Sequence, residues 1–121
     1  MDEKDRRLTL VDSLRSSLRR LASPPAEQRQ YLEELGVSPD TDELALEFDD
    51  LWPSVRPFAT GALRSSCDEL DQWFSGFSGA AFGALWHVDA LAGSEWERVR
   101  ELAARALAAL PAEPQRPDGS S

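Results

Sequence analysis

The chain has 121 residues, is 41% hydrophobic and contains four Trp, which suffices for one domain whose core needs neither disulfides nor metals. Asp and Glu outnumber Lys and Arg by 22 to 13, for a net charge of -9. Such a surface repels phosphate backbones and anionic headgroups, which argues against binding to nucleic acid or to a membrane. The same charge attracts a basic protein partner.

The first two predicted helices are set by apolar spacing and by Pro and Gly. The first covers about residues 3–22, with apolar residues three and four apart at Leu10, Val11, Leu14, Leu18 and Leu21. Residues 23–25, Ser-Pro-Pro, end it and begin the second helix, because Pro is favoured in a first turn. This helix ends at about Leu35, since Gly36 suits the left-handed position after a helix and Val37 the apolar contact that accompanies it.

Two capping-box patterns predict the next helices. Asp40 with Glu43 opens a third helix, which we expect to end at Trp52 because a proline follows that residue. A fourth is expected through Val55, Phe58, Ala59, Ala62 and Leu63. Ser66 with Glu69 then opens a fifth, containing Leu70, Trp73, Phe74 and Phe77.

The C-terminal third contains a break and one further helix. Three Gly and two Phe in residues 75–83 predict a loop packed against the protein, followed by a short turn at residues 86–91. Ser94 with Glu97 opens the last helix, which Pro111 ends. With no alternating strand pattern, we expect an all-α, single-domain, irregular bundle of five to seven short helices over residues 1–110, and a disordered tail at 111–121.

The N-terminus carries charges and leads into no apolar stretch of the signal-peptide type, and no apolar run approaches the roughly 20 residues of a membrane span. One Cys excludes an internal disulfide. We therefore expect a cytoplasmic protein.

The residue types that perform catalysis are scarce. Cys67 and His87 are the sole residues of their kinds, and no spacing in the sequence matches a metal site. They could form a nucleophilic pair, but Cys67 falls in the first turn of a predicted helix, where it is expected to be lightly packed or exposed. The glycine-rich segment lacks the Gly-Lys-Ser/Thr ending of a P-loop. We expect no enzyme activity, no cofactor and no metal.

The most unusual segment is residues 40–50, which holds six acids and no basic residue. On a helix, Leu44, Ala45, Phe48, Leu51 and Trp52 share one face, whereas Leu46 falls among the acids. An exposed apolar side chain surrounded by charges is typical of a protein-binding surface. The predicted surface consists of Asp42, Glu43, Leu46, Glu47, Asp49 and Asp50.

Two alternatives remain open for this surface. Acids near a helix N-terminus interact favourably with its dipole, which explains Asp42 and Glu43 but not Glu47, Asp49 and Asp50. The latter are explained by pairing with the first helix, which carries six basic residues, or by simple solvation. A secondary candidate surface comprises Phe77, Phe82, Trp86 and His87, which form either an interaction loop or a lid over the core.

A resemblance accompanies these residues. The segments that carry it are Tyr31-Leu32-Glu33-Glu34-Leu35-Gly36-Val37, Asp42-Glu43-Leu44-Ala45-Leu46-Glu47-Phe48-Asp49-Asp50, and the later Leu85-Trp86 and Trp96-Glu97-Arg98-Val99-Arg100. Over about residues 25–110, the chain resembles a set of small uncharacterised actinobacterial proteins. Those proteins look like the immunity proteins encoded beside secreted polymorphic toxins. The resemblance implies a partner-binding inhibitor and assigns no site.

The sequence therefore predicts a non-catalytic inhibitor of immunity or antitoxin type, which covers a basic site on a partner protein, such as a toxin, with its acidic helix face. The alternative is a regulatory or adaptor subunit of an intracellular complex. Exposed apolar residues are equally compatible with a homo-oligomer.

Overall fold

The computed structural model describes residues 2–38, 40–76, 83 and 85–110. Its α-helices are α1 (Glu3–Ala22), α2 (Pro25–Leu35), α3 (Asp42–Val55), α4 (Gly61–Ser75) and α5 (Ser94–Ala109), with 3-10 turns at Arg56–Phe58 and Val88–Ala90. The predicted all-α bundle is confirmed. The predicted tail at residues 111–121 lies outside the described residues. Across the described ranges, every helix is too short or too polar to traverse a bilayer.

The core lies where α5 packs against α4 and α1, and α1 in turn packs against α3. Its largest side chains are Trp52, Trp96 and Phe48, each at most 2% exposed. Phe74 joins the two sides of this core, because its ring centroid lies 6.2 Å from that of Phe48 and 6.1 Å from that of Trp96. Tilted rings at these separations add to the stabilisation that burial itself provides.

The ends of α1 and α2 follow the predicted local signals. The Asp2 side chain accepts a hydrogen bond from the Asp5 N–H (2.9 Å) and caps α1. After α2, Gly36 adopts a left-handed conformation (φ 77°) and donates to the carbonyl of Glu33, while Val37 donates to that of Leu32. These paired bonds form a Schellman motif, which requires a residue that tolerates positive φ.

The start of α3 differs from the prediction. Thr41, and not Asp40, precedes the first helical residue, and no side-chain hydrogen bond caps this end of the helix. Asp40 instead forms an isolated antiparallel bridge with His87. The Asp40–Glu43 capping box is therefore wrong, because a backbone contact with a distant segment holds Asp40.

The end of α3 also differs, because the helix continues through Pro53 to Val55. A proline inside a helix costs about 3 kcal/mol. Continuing the helix places both Trp52 and Val55 in the core, and each fully buried side chain of this kind contributes roughly 1.5–3 kcal/mol. The Asp49 carbonyl, which loses its helical partner, belongs to an exposed residue that water can solvate.

The predicted fourth helix does not form as a separate element, and α4 begins before the predicted fifth helix and includes its start. Residues assigned to the fourth helix instead divide among the end of α3, the following 3-10 turn and the start of α4, with Gly61 adopting a positive φ of 58°. Ser66 lies inside α4 and opens no helix. The apolar residues Leu63, Cys67, Leu70 and Phe74 run across it at four- and three-residue spacing and are all buried, so they favour one continuous helix.

The last helix is close to the prediction. Gly93 occupies the N-cap position of α5, so Ser94 is the first helical residue and not the cap. The helix ends at Ala109, two residues before the predicted stop. Its apolar residues Trp96, Val99 and Leu102 are fully buried, so this helix packs one face against the core.

Candidate partner-binding site

Helix α3 presents three different sides to its surroundings. Its core side carries Leu44, Phe48 and Trp52, which are buried. One flank carries Glu47 and Asp50, which line a shallow groove against α1. The other flank carries Asp42, Ala45, Leu46 and Asp49, which line a cleft on the opposite side of the helix. Of the six predicted site residues, Asp42, Leu46 and Asp49 thus line the cleft, Glu47 and Asp50 line the groove, and Glu43 is among the lining residues of neither.

The cleft has a volume of about 390 Å³, and the described residues that line it come from three parts of the chain. Helix α3 contributes the stripe at positions 42, 45, 46 and 49, whose spacing aligns side chains on one face of a helix. The end of α4 contributes Phe74 and Ser75, and Trp86 also lines the cleft. The described lining therefore combines the aromatic side chains of Phe74 and Trp86 with the carboxylates of Asp42 and Asp49.

The rim combines one apolar side chain with unpaired acids. Leu46 is 47% exposed, which confirms that it points away from the core. Asp42, Asp49 and Asp50 are exposed, and none of them belongs to an ion pair within the described part of the chain. Partial burial of Asp49, followed by the negative charges of Asp71 and Asp50, raises the pKa of its carboxyl above the ordinary value.

Trp86 connects the two predicted surfaces, because it lines the same cleft as Leu46. Its carbonyl accepts a hydrogen bond from the Thr41 N–H at 2.8 Å, and its ring meets that of Trp96 edge to face, with centroids 5.8 Å apart. Two independent contacts thus fix its position. Sequence reasoning placed Trp86 and Leu46 on separate surfaces, since only the fold brings them together.

The other members of the secondary surface contribute less to the cleft. His87 is partly exposed, and its Nδ1 accepts a hydrogen bond from the Asp89 N–H at 3.1 Å. Phe77 and Phe82 lie outside the described residues.

Glu47 is held by contacts inside the protein. Its carboxylate lies 3.3 Å from the Arg20 guanidinium of α1 and accepts a hydrogen bond from the Tyr31 hydroxyl of α2. The Arg20 guanidinium also lies over the Tyr31 ring, 4.7 Å from its centroid. For Glu47, the alternative of pairing with the basic first helix is therefore what the structure shows, and this side chain joins three helices.

We expect Tyr31 to titrate with a pKa of about 12, because burial and the hydrogen bond to Glu47 both disfavour its anion. This raised pKa contributes stability that is complete below pH 10, the ordinary pKa, and is lost as the pH rises through about 12. Tyr31 is the sole Tyr of the chain, so absorbance of tyrosinate near 295 nm measures it alone.

The matched variant for this titration is Glu47→Gln, which removes the charge and keeps the size of the side chain. Its Tyr31 pKa should fall toward the ordinary value, whereas Asp50→Asn, which neutralises an exposed acid of the same helix, should leave the midpoint in place. Equal midpoints in the native protein and Glu47→Gln would show that Glu47 does not contact Tyr31 in solution.

Cys67 does not occupy the lightly packed or exposed position expected of it. It lies in the middle of α4 and is fully buried. Burial, with a smaller contribution from the charge of Asp68, raises the pKa of its thiol to about 12. Because the thiolate is the reactive form, this environment is the opposite of the one that activates a cysteine nucleophile.

We expect the Cys67 thiol to resist a disulfide reagent such as DTNB in the native protein and to react once urea unfolds the chain. Protection should persist at pH 8–9, where a free thiol of ordinary pKa is largely reactive. Absorbance of the released thionitrobenzoate measures both rates. Reaction of the native protein at the rate of the unfolded chain would contradict the buried placement.

Comparisons with known proteins add no assignment to this geometry. No protein-family model matches the chain, and neither the curated proteins nor the solved structures yield a significant match. In the ranges that the structure describes, no three His, Cys, Asp or Glu side chains are grouped as metal ligands would be. The geometry of the cleft is therefore the basis for a functional proposal.

Proposed function

We propose that this chain is a non-catalytic inhibitor of immunity or antitoxin type, which binds a basic partner protein through the cleft of α3, α4 and Trp86. The observation that carries the proposal is Leu46, exposed between Asp42 and Asp49 at the mouth of an apolar-walled cleft. A partner that covers Leu46 would bury apolar surface, and a basic partner would pair with Asp42 and Asp49, for which the described residues provide no ion pair.

The proposed mechanism is occlusion. Leu46 and Trp86 provide the apolar anchor, and the carboxylates of Asp42 and Asp49 take positions that the partner offers to anionic groups of its own ligand. The net charge of -9 accelerates the encounter with a basic surface. A toxin that acts on nucleic acid presents such a surface, because it must bind phosphates.

The experiment is affinity capture from the lysate and the secreted fraction of the native host, followed by mass spectrometry and by measurement of the Kd with the purified partner. The site variant is Asp42→Asn/Leu46→Ala/Asp49→Asn. The matched control is Glu33→Gln/Glu34→Gln/Leu35→Ala, which changes two exposed acids and one equally exposed Leu (46%) on α2.

We expect the site variant to weaken binding of the specific partner by about 100-fold or more, since it removes an anchor and two charges from one surface. The control variant should bind as the native protein does. A partner retained equally by both variants would place the interface elsewhere and contradict the proposal. Inhibition of an enzymatic activity of the captured protein distinguishes an inhibitor from a regulatory or adaptor subunit.

A further inference from the structure

We propose that the first turns of α1 (residues 3–12) form the contact surface of a weak homodimer, in which Leu8 packs against Leu8 of a second copy. This part of the helix has little cover within the chain, because residues 2–9 are all exposed. Leu8 is 47% exposed and lines a shallow apolar pocket with Val11 and Lys4. The pocket shares no described lining residue with the candidate partner-binding cleft, so this inference does not depend on the proposed function.

The charges around Leu8 are arranged so that a second copy of the same helix complements them. Lys4 and Asp12 lie about one turn before and one turn after Leu8, in the same row of side chains. A two-fold axis through Leu8 makes the two helices antiparallel and places each residue before Leu8 opposite the residue equally far after it on the other copy. Lys4 of each copy thus faces Asp12 of the other, and two identical ion pairs flank the contact between the leucines.

Both members of this pair are accessible to a second chain. Lys4 is exposed and takes part in no ion pair within the described part of the chain. Asp12 accepts a hydrogen bond from Arg15 at 2.7 Å, but its side chain is 68% exposed, so a second cation can reach the carboxylate. The dimer therefore adds a partner for Lys4 and retains the contact of Asp12 with Arg15.

The charge of this segment favours a second copy over a strongly basic or acidic protein. Residues 3–12 contain three acids and three basic residues and have no net charge. Helix α3, by contrast, carries five acids and no basic residue. Two chains with a net charge of -9 repel each other over most of their surface. A neutral segment with self-complementary charges is where they meet at the least electrostatic cost.

The contact is small, so the dimer is weak. About three turns of each helix take part, and they bury less than the roughly 1,200 Å² of the smallest standard interfaces. We expect a Kd on the order of 100 µM at low ionic strength. Sedimentation equilibrium of the full chain at concentrations from about 10 µM to about 1 mM spans this value and measures the dimer directly.

Two single charge reversals test the pairing, because each should weaken self-association while their mixture restores it. In Lys4→Glu an acid faces Asp12 of the second copy, and in Asp12→Lys a base faces Lys4, so each variant alone should dimerise about tenfold more weakly or worse. In an equimolar mixture both pairs are again of opposite charge, and the heterodimer should have a Kd within about threefold of the native value. Far-UV circular dichroism checks that each variant is folded.

The apolar centre has its own variant and a matched control. Leu8→Ala should weaken the dimer about tenfold, since it removes the side chain on the two-fold axis from both copies. Leu35→Ala truncates an equally exposed Leu (46%) on α2 and should change the Kd by no more than about twofold. Should Asp12→Lys fail to fold, Lys4→Glu and Leu8→Ala decide by themselves.

Three results would each overturn the homodimer. The first is a native chain that stays monomeric at about 1 mM, ten times the expected Kd. The second is a native dimer whose Kd is the same in Lys4→Glu. The third is an equal effect of Leu8→Ala and Leu35→Ala, which would place the contact between the copies outside residues 3–12.

Discussion

Replacing Trp96 by Ala is expected to lower the free energy of unfolding by about 3–5 kcal/mol, a large part of the 5–15 kcal/mol of a typical domain. Trp96 is completely buried, its ring packs against Phe74 and Trp86, and its indole N–H donates to the Leu85 carbonyl at 2.6 Å. Truncation removes both the ring contact and the hydrogen bond that Trp96 of α5 makes with the segment that carries Trp86. Urea denaturation followed by far-UV circular dichroism measures the loss.

Two further variants make this result interpretable. Trp96→Phe keeps most of the apolar contact and loses the hydrogen bond to Leu85, so it should cost about 1–2 kcal/mol and remain folded. Leu46→Ala truncates an exposed side chain and should change stability by no more than about 0.5 kcal/mol. A cost below about 1 kcal/mol for Trp96→Ala would contradict the central position of this residue.

Gln28→Leu is expected to cost about 2–4 kcal/mol although the two side chains have similar volumes, since each buried polar group left without a partner costs about 1–3 kcal/mol. Gln28 is 1% exposed. Its amide nitrogen donates to the carbonyls of Arg20 (3.1 Å) and Leu21 (3.0 Å) at the end of α1, and its oxygen accepts from Arg100 of α5 at 3.4 Å. One amide thus links three helices.

The matched control is Gln30→Leu, the same substitution two residues further along α2, at an exposed position. It should change the free energy of unfolding by no more than about 0.5 kcal/mol. Chemical denaturation of both variants at one pH gives the comparison. If Gln28→Leu were as stable as the native protein, water would have to satisfy the carbonyls that Gln28 serves, and the buried network would carry no net stability.

Features determined by neighbouring residues could be predicted from the sequence. The bounds of α1 followed from apolar spacing and from Pro24, and the end of α2 followed from Gly36, because in both cases the deciding interactions lie within one helical turn. Leu46 could be placed on the exposed side of α3 for the same reason. The stripe at positions 42, 45, 46 and 49 was also present in the sequence as an i, i+3, i+4, i+7 pattern.

Features determined by contacts between distant residues could not be predicted from the sequence. Pro53 and Ser66 carry local signals for a helix end and a helix start, and burial of Trp52, Val55 and Cys67 outweighs both. The cleft depends on Phe74 and Trp86, which lie 19 and 31 residues beyond the end of α3 in sequence. Nothing local marks Gln28 as buried, and nothing local pairs Glu47 with Arg20 and Tyr31.

The first turns of α1 differ from the rest of that helix in how little of their surface is buried. Residues 2–9 are all exposed, whereas burial becomes regular only from Leu14 onward. Glu3 pairs with Arg6 and Arg7 along the helix surface, and all three side chains are more than half exposed, so each pair contributes little and is screened by salt. The Arg7 guanidinium also lies over the Phe58 ring, 4.9 Å from its centroid, so this end of α1 is expected to fray from its first residues up to that contact. Its helical length should shrink gradually with warming or added salt, while the core-facing half melts only with the whole bundle.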